Sequence, residues 1–269
     1  MRGTCALTKT EGEFIASHLL PKALTRPRTR GRPLIQIASR KKPVRRWDSW
    51  YDDQLVTLQG EKLLTDLDTW AIATMRQHRL VWSGWHGAES LAGHVTPLSG
   101  SPWGIRRVSG LDTRRLRLFF MSLLWRAAAT SRPEFHEVSV PDADLEQLRL
   151  MILSGSSGPA GFYQVTLTQL STKGVIQNMP PICQYKEVRS TVPGLPHRLE
   201  RIFRFYIDGL IAHIRLPEGA KDQDDLGAMV LGARDDVVIS TVTYERSFQR
   251  ENLQFVQEET LPSSLSWEK

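Results

Sequence analysis

Near its start the chain contains Cys5-Ala-Leu-Thr8 and then Glu11-Gly-Glu-Phe-Ile-Ala-Ser-His18-Leu-Leu-Pro-Lys22, the stretch around which the sequence is organised. Turn-forming residues from Lys9 to Gly12 separate two apolar runs, which predicts two short extended segments around a bend. His18 stands alone among apolar residues, shortly before a proline. Such a histidine either takes part in chemistry or is a half-buried ring whose nitrogen meets a backbone carbonyl.

An acid-free basic segment follows directly. Its ten basic residues are Lys22, Arg26, Arg28, Arg30, Arg32, Arg40, Lys41, Lys42, Arg45 and Arg46. Prolines and glycines rule out a continuous helix, so we predict a loop over 22–46 with a short strand at Leu34-Ile-Gln-Ile37. A single arginine is usually a solvated surface group, but a run of this length is typical of proteins that neutralise phosphates. Trp47, which comes next, either stacks on an exposed base or helps to close a small core.

The central part of the chain contains one predicted helix and one predicted connection. Apolar residues recur at helical spacing over 61–80, with acids near the start and arginines near the end, as the helix dipole favours. Residues 83–110 are rich in glycine, proline, serine and threonine. We predict an irregular connection here, between a first domain over 1–82 and a second over 111–269.

The second domain is predicted to start with two helices, over 112–131 and 142–153, the first of them capped by Asp112. Strand patterns follow over 162–244, and Asp208-Gly209 between two apolar arms predicts a hairpin turn. A closing helix is predicted over 247–259. These patterns predict an α+β protein, with a helical pair followed by an antiparallel β/α region.

Composition narrows the class of protein. With 269 residues, 41% hydrophobic and 24% charged, the chain is globular rather than disordered or collagen-like. Its two cysteines are far apart in sequence, which excludes a disulfide framework and favours a reduced, cytoplasmic setting. The longest apolar run, Leu116 to Ala129, is interrupted by Arg117 and Arg126, so no membrane partner is expected.

Cys5-x-x-Thr8 and Ser17-His18-Leu-Leu-Pro21 resemble the first half of HNH (ββα-metal) nucleases. The resemblance covers residues 1–82 and implies a ββα-metal minidomain in which His18 is the general base that activates water against a phosphodiester. It also implies DNA in preference to RNA as the partner, and a phage, mobile-element or defence setting.

The second half of the motif is rewritten in this chain. By the resemblance, Asp52 stands near the family's asparagine, Glu61 replaces its last histidine, and Thr57 and Gly60 replace a cysteine pair. Carboxylate oxygens suit a hard cation, so Asp52 and Glu61 are candidate ligands for Mg²⁺ or Mn²⁺, whereas no structural zinc is expected. Read without the resemblance, Asp52 forms a turn or a cap, and Glu61 is a first-turn acid that suits the helix dipole.

Three hypotheses remain open on the sequence. The first is a metal-dependent endonuclease, with the basic segment clamping the phosphate backbone. The second is a nucleic-acid-binding protein that keeps the ββα shape and has lost catalysis. The third is an interaction module whose residues 111–269 dock a partner protein or a second copy of the chain.

Overall fold

The structure is a computed structural model that describes residues 1–25, 34–38, 41–46, 49–188, 198–217 and 226–260. Its helices are α1 (Lys22–Thr25), α2 (Leu58–Gln77), α3 (Thr113–Ala129), α4 (Asp142–Ser154) and α5 (Phe248–Thr260). The strands before α3 are β1 (Arg2–Thr4), β2 (Glu11–Glu13), β3 (Ser17–His18), β4 (Leu34–Ala38), β5 (Lys41–Arg46), β6 (Tyr51–Asp52), β7 (Thr96–Pro97) and β8 (Trp103–Val108). Those after α4 are β9 (Val165–Leu170), β10 (Gln177–Asn178), β11 (Ile182–Val188), β12 (Arg198–Ile207), β13 (Leu210–Arg215) and β14 (Val237–Val242).

A seven-stranded sheet forms the centre of the molecule, in the order β11-β12-β13-β9-β14-β8-β7. The turn between β12 and β13 is the predicted Asp208-Gly209 pair, with φ of 46° and 84°, the left-handed values that a tight hairpin requires. The sheet is not purely antiparallel as predicted, because β14 pairs with β9 in parallel. The architecture is therefore mixed α+β.

Helix α3 packs on one face of this sheet, as the helical spacing of its apolar residues requires. Its buried side chains, which include Phe119 and Leu123, share one hydrophobic cluster with Leu167 and Phe205 of the sheet. Asp112 caps the helix as predicted, because its Oδ1 accepts a hydrogen bond of 2.9 Å from the backbone N–H of Arg115. Leu64 of α2 belongs to the same cluster, so one core joins residues of both predicted domains.

Short strands and one long helix make up the N-terminal region. Strand β1 pairs with β2 and β3 pairs with β6, both antiparallel. Helix α2 starts at Leu58, three residues before the predicted start, because Thr57 already adopts the extended conformation of an N-cap. It ends at Gln77, and Arg79 just beyond it has a left-handed φ of 53° that cannot continue the helix.

The segment 83–110, predicted to be an irregular connection, contains two strands of the central sheet. Strand β8 pairs with β14 along its whole length, from Trp103 to Val108. Its sequence does not alternate between polar and apolar residues, so its place depends on a partner strand far along the chain. Gly104 is needed there, because a Cβ would lie 2.6 Å from Cγ1 of Val95.

Candidate functional site

His18 and Asp52 lie on neighbouring strands but on opposite faces of them. In the β3–β6 ladder Ser17 pairs with Asp52, and His18 pairs with Tyr51. Directly paired residues share a face, and successive residues alternate between faces. Ser17 and Asp52 are accordingly buried, whereas Tyr51 is exposed beside a partly exposed His18, with ring centroids 6.4 Å apart. The imidazole and the carboxylate therefore do not face each other.

Both oxygens of the Asp52 carboxylate are engaged in hydrogen bonds. Oδ1 accepts 2.9 Å from the backbone N–H of Gln54, which closes a turn, and Oδ2 accepts 2.5 Å from the hydroxyl of Thr130, just past α3. These contacts tie the strand β6 to the end of a core helix. The geometry supports the reading of Asp52 as a turn-forming, structural residue.

Glu61 lies in the first turn of α2, where a carboxylate suits the helix dipole. Its Oε1 accepts 3.3 Å from the hydroxyl of Thr65, and its Oε2 is buried with no hydrogen-bond partner in the described part of the chain. The described ranges contain no group of three or more histidine, cysteine and acidic residues that could hold a metal ion. A Mg²⁺ or Mn²⁺ ion held by Asp52 and Glu61 stays a prediction from the sequence.

Arg126 fixes the backbone of β3 and was missed in the sequence. Its side chain is 1% exposed, and its Nη1 donates 3.0 Å to the carbonyl of His18. The same guanidinium forms a bidentate pair with Asp68 of α2, at 2.9 and 2.6 Å. A charged residue inside an apolar helix was the available signal. It marks a buried ion pair that connects α2, α3 and the candidate histidine.

The four positions that the resemblance aligns with zinc-binding cysteines meet around the Cys5 sulfur. The backbone N–H of Thr8 lies 3.4 Å from Sγ, and a Cβ on Gly60 would lie only 2.8 Å from it. Burial raises the pKa of the Cys5 thiol, but hydrogen bonds with Thr8 and Thr57 outweigh burial and lower it overall. The sulfur of Cys5 therefore fills the space between residues 5–8 and the first turn of α2.

The basic segment contains a hairpin at the edge of a separate small sheet. Strand β4 lies between β10 and β5, so β5 is the edge strand. Four of the six residues of β5 are basic, none is acidic, and its Pro43 suits an edge because proline cannot donate to a further strand. Val44 and Arg45 are exposed. The other candidates Arg26, Arg28, Arg30, Arg32, Arg40 and Trp47 lie outside the described residues.

Comparisons of this chain with protein-family models, with curated proteins and with solved structures found no match. The resemblance of residues 1–82 to HNH nucleases therefore stays a prediction from the sequence. Among the helices in the described ranges, none combines the length and the apolar character needed to cross a bilayer.

Proposed function

We propose that this protein binds nucleic acid, DNA in preference to RNA, through the basic segment 22–46, and that it does so without cleaving it. The observation that carries the proposal is the edge strand β5, Lys41-Lys-Pro-Val-Arg-Arg46, which contains four cations and no acid. In this proposal the N-terminal region is an HNH-like ββα element that has kept its shape and lost its catalytic site.

An edge strand suits a phosphate backbone for two physical reasons. No strand in the described part of the chain pairs with the outer edge of β5, which helix α5 also contacts. The outward N–H groups of an edge strand can donate to phosphate oxygens. Lysine and arginine residues on the same strand add charge that releases condensed counterions from the nucleic acid. Neither contact reads bases, so the proposal implies binding with little sequence preference.

The loss of catalysis is supported by the contacts of the candidate ligands. The carboxylate oxygens of Asp52 accept hydrogen bonds from Gln54 and Thr130, and the carboxylate lies on the opposite face from His18. A nuclease of this kind would need its ligands and its base around one phosphate.

The test is the affinity for a fluorescein-labelled DNA duplex, measured by anisotropy at several salt concentrations. We expect log Kd to depend steeply on log salt, and the triple variant Lys41→Ala, Lys42→Ala, Arg45→Ala to lower that slope by roughly 0.9 for each phosphate that is no longer neutralised. The matched control removes three exposed cations elsewhere, by Lys9→Ala, Lys62→Ala and Arg114→Ala. Equal losses of affinity in the two triple variants would mean that total charge, and not β5, governs binding.

Endonuclease activity is a second candidate, favoured by one observation. The His18 side chain lies on the outer, partly exposed face of the β3–β6 ladder, where a phosphodiester could reach it. The assay is nicking of supercoiled plasmid with Mg²⁺ or Mn²⁺. Nicking that is abolished by His18→Ala would establish cleavage and would refute the non-catalytic part of the proposal; intact plasmid supports it.

A further inference from the structure

The face of the central sheet that is turned away from α3 carries polar residues around a cavity. The cavity has a volume of about 230 Å³ and lies over β11, β12, β13, β9 and β14. This volume is smaller than the pockets of about 300–1,000 Å³ that take drug-sized ligands. A ligand of this cavity is therefore a small molecule.

Strand register brings the polar residues of the cavity together from distant parts of the chain. His213 is paired with Thr166, and Thr168 is paired with Ser240. Lys186 is paired with Glu200 on the next strands of the same sheet. The walls thus present an imidazole, three hydroxyls and an ammonium group to one space.

The carboxylate closest in register to Lys186 is already neutralised. Oε2 of Glu200 lies 2.6 Å from Nε of Arg215, and both of these side chains are largely buried. Nη1 of Arg215 also donates 3.1 Å to Oε1 of Gln164. Glu187 also borders the cavity, but it is exposed and alternates to the opposite face from Lys186. Burial and the neighbouring cations Arg215 and Arg204 lower the pKa of Lys186, and together they outweigh the opposite effect of Glu200. An anion beside Lys186 would offset this positive field.

His213 has a buried ring nitrogen that faces neighbouring cations. Its Nδ1 is buried and has no hydrogen-bond partner in the described ranges. Burial holds the pKa of His213 well below its ordinary value, and the neighbouring cations Lys186 and Arg204 lower it further. Buried polar atoms normally have a hydrogen-bond partner. An anion beside Nδ1 would accept a hydrogen bond from Nδ1–H and would favour the protonated ring, which the neighbouring cations disfavour.

We propose that this cavity binds a small organic anion, with a carboxylate or phosphate group held by Lys186, His213 and the hydroxyls of Thr166, Thr168 and Ser240. Ile202, Leu226 and Met229 supply an apolar wall of the same cavity. A short hydrocarbon chain next to the anionic group would lie against this wall. The site is independent of the basic edge strand β5, and its ligand is not the proposed nucleic acid.

The experiment titrates the full chain with three probes: butyrate, inorganic phosphate and the neutral butyramide. The readout is the ring resonances of His213 in a ¹H–¹⁵N spectrum, assigned by their loss in His213→Gln, at constant ionic strength in chloride. We expect butyrate or phosphate to shift these resonances with saturation, and butyramide to leave them unchanged. Butyramide binding as tightly as butyrate would overturn the proposal.

Two variants locate the site. Lys186→Met removes the cation from an exposed position and is expected to weaken anion binding at least tenfold. The control Lys62→Met on α2 removes an equal charge elsewhere and should leave anion binding unchanged. Isothermal titration of His213→Gln with the same anion gives an independent measurement, again with at least a tenfold loss expected. If no anion saturates the wild-type protein, or if Lys186→Met and His213→Gln bind as the wild type does, the cavity is not an anion site.

Discussion

Replacing Gly60 with alanine tests whether the Cys5 sulfur fills the space between residues 5–8 and the first turn of α2. Gly60 lies in the third position of α2, where alanine alone would stabilise the helix by about 0.5–1 kcal/mol. A Cβ there would lie 2.8 Å from Sγ of Cys5 and 3.2 Å from Cβ of Val56. Carbon contacts are optimal at roughly 3.5–4.0 Å, so the sulfur or the helix must move.

The clash outweighs the gain in helix propensity. Cys5 is fully buried, and overpacking a buried site costs about 1–3 kcal/mol. We therefore expect Gly60→Ala to lower the free energy of unfolding of the wild type by about 0.5–2 kcal/mol. In the Cys5→Ala background the sulfur is absent, so the same substitution should raise the free energy of unfolding.

Urea unfolding of the wild type, both single variants and the double variant measures this coupling. The four free energies form a double-mutant cycle, and we expect a coupling energy of about 1–3 kcal/mol between positions 5 and 60. Cys5→Ala alone serves as the control for the cavity that the missing sulfur leaves. Gly60→Ala with the same effect in both backgrounds, or stabilisation of the wild type, would refute the packing argument.

Three further predictions concern other parts of the fold. Arg126→Met should lower the free energy of unfolding by about 3–5 kcal/mol, because it leaves the carboxylate of Asp68 without its buried partner. Chemical unfolding measures this loss, and a loss under about 1 kcal/mol would contradict the prediction. Gly209→Ala should lower the free energy of unfolding by about 2 kcal/mol or more in the same assay, because φ at Gly209 is +84° and a Cβ there would lie 2.4 Å from Trp82. An unchanged free energy of unfolding would contradict this turn geometry. Stability in chloride buffer should fall from pH 7 to pH 5, because below about 6.5 the unfolded chain binds a proton at His213 that the folded protein, with a lowered pKa there, does not. Unfolding curves at several pH values should show a smaller fall in His213→Gln, and an identical fall would assign the effect to other groups.

Local sequence patterns were sufficient where an element depends on its own residues. The apolar spacing of α3, the Asp112 cap and the Asp208-Gly209 turn were all predicted, and the structure confirms them. Helical period, capping and turn chemistry each act over a few residues, so they can be read along the chain. The short strand predicted at 34–37 is strand β4, Leu34–Ala38.

The tertiary structure decided everything that depends on distant partners. The sequence predicted an irregular segment where strand β8 lies, and only its pairing with β14 shows that it belongs to the sheet. The hydroxyl that binds Oδ2 of Asp52 belongs to Thr130, 78 positions along the chain. The anion cavity brings Lys186, His213 and Ser240 together from three strands. The sequence predicted helices α2 to α5, the Asp208-Gly209 turn and the concentration of positive charge near the start of the chain, but not the short helix α1 inside the predicted loop. Which polar groups face each other was decided by strand register and packing, because a shift of one residue turns a side chain to the opposite face.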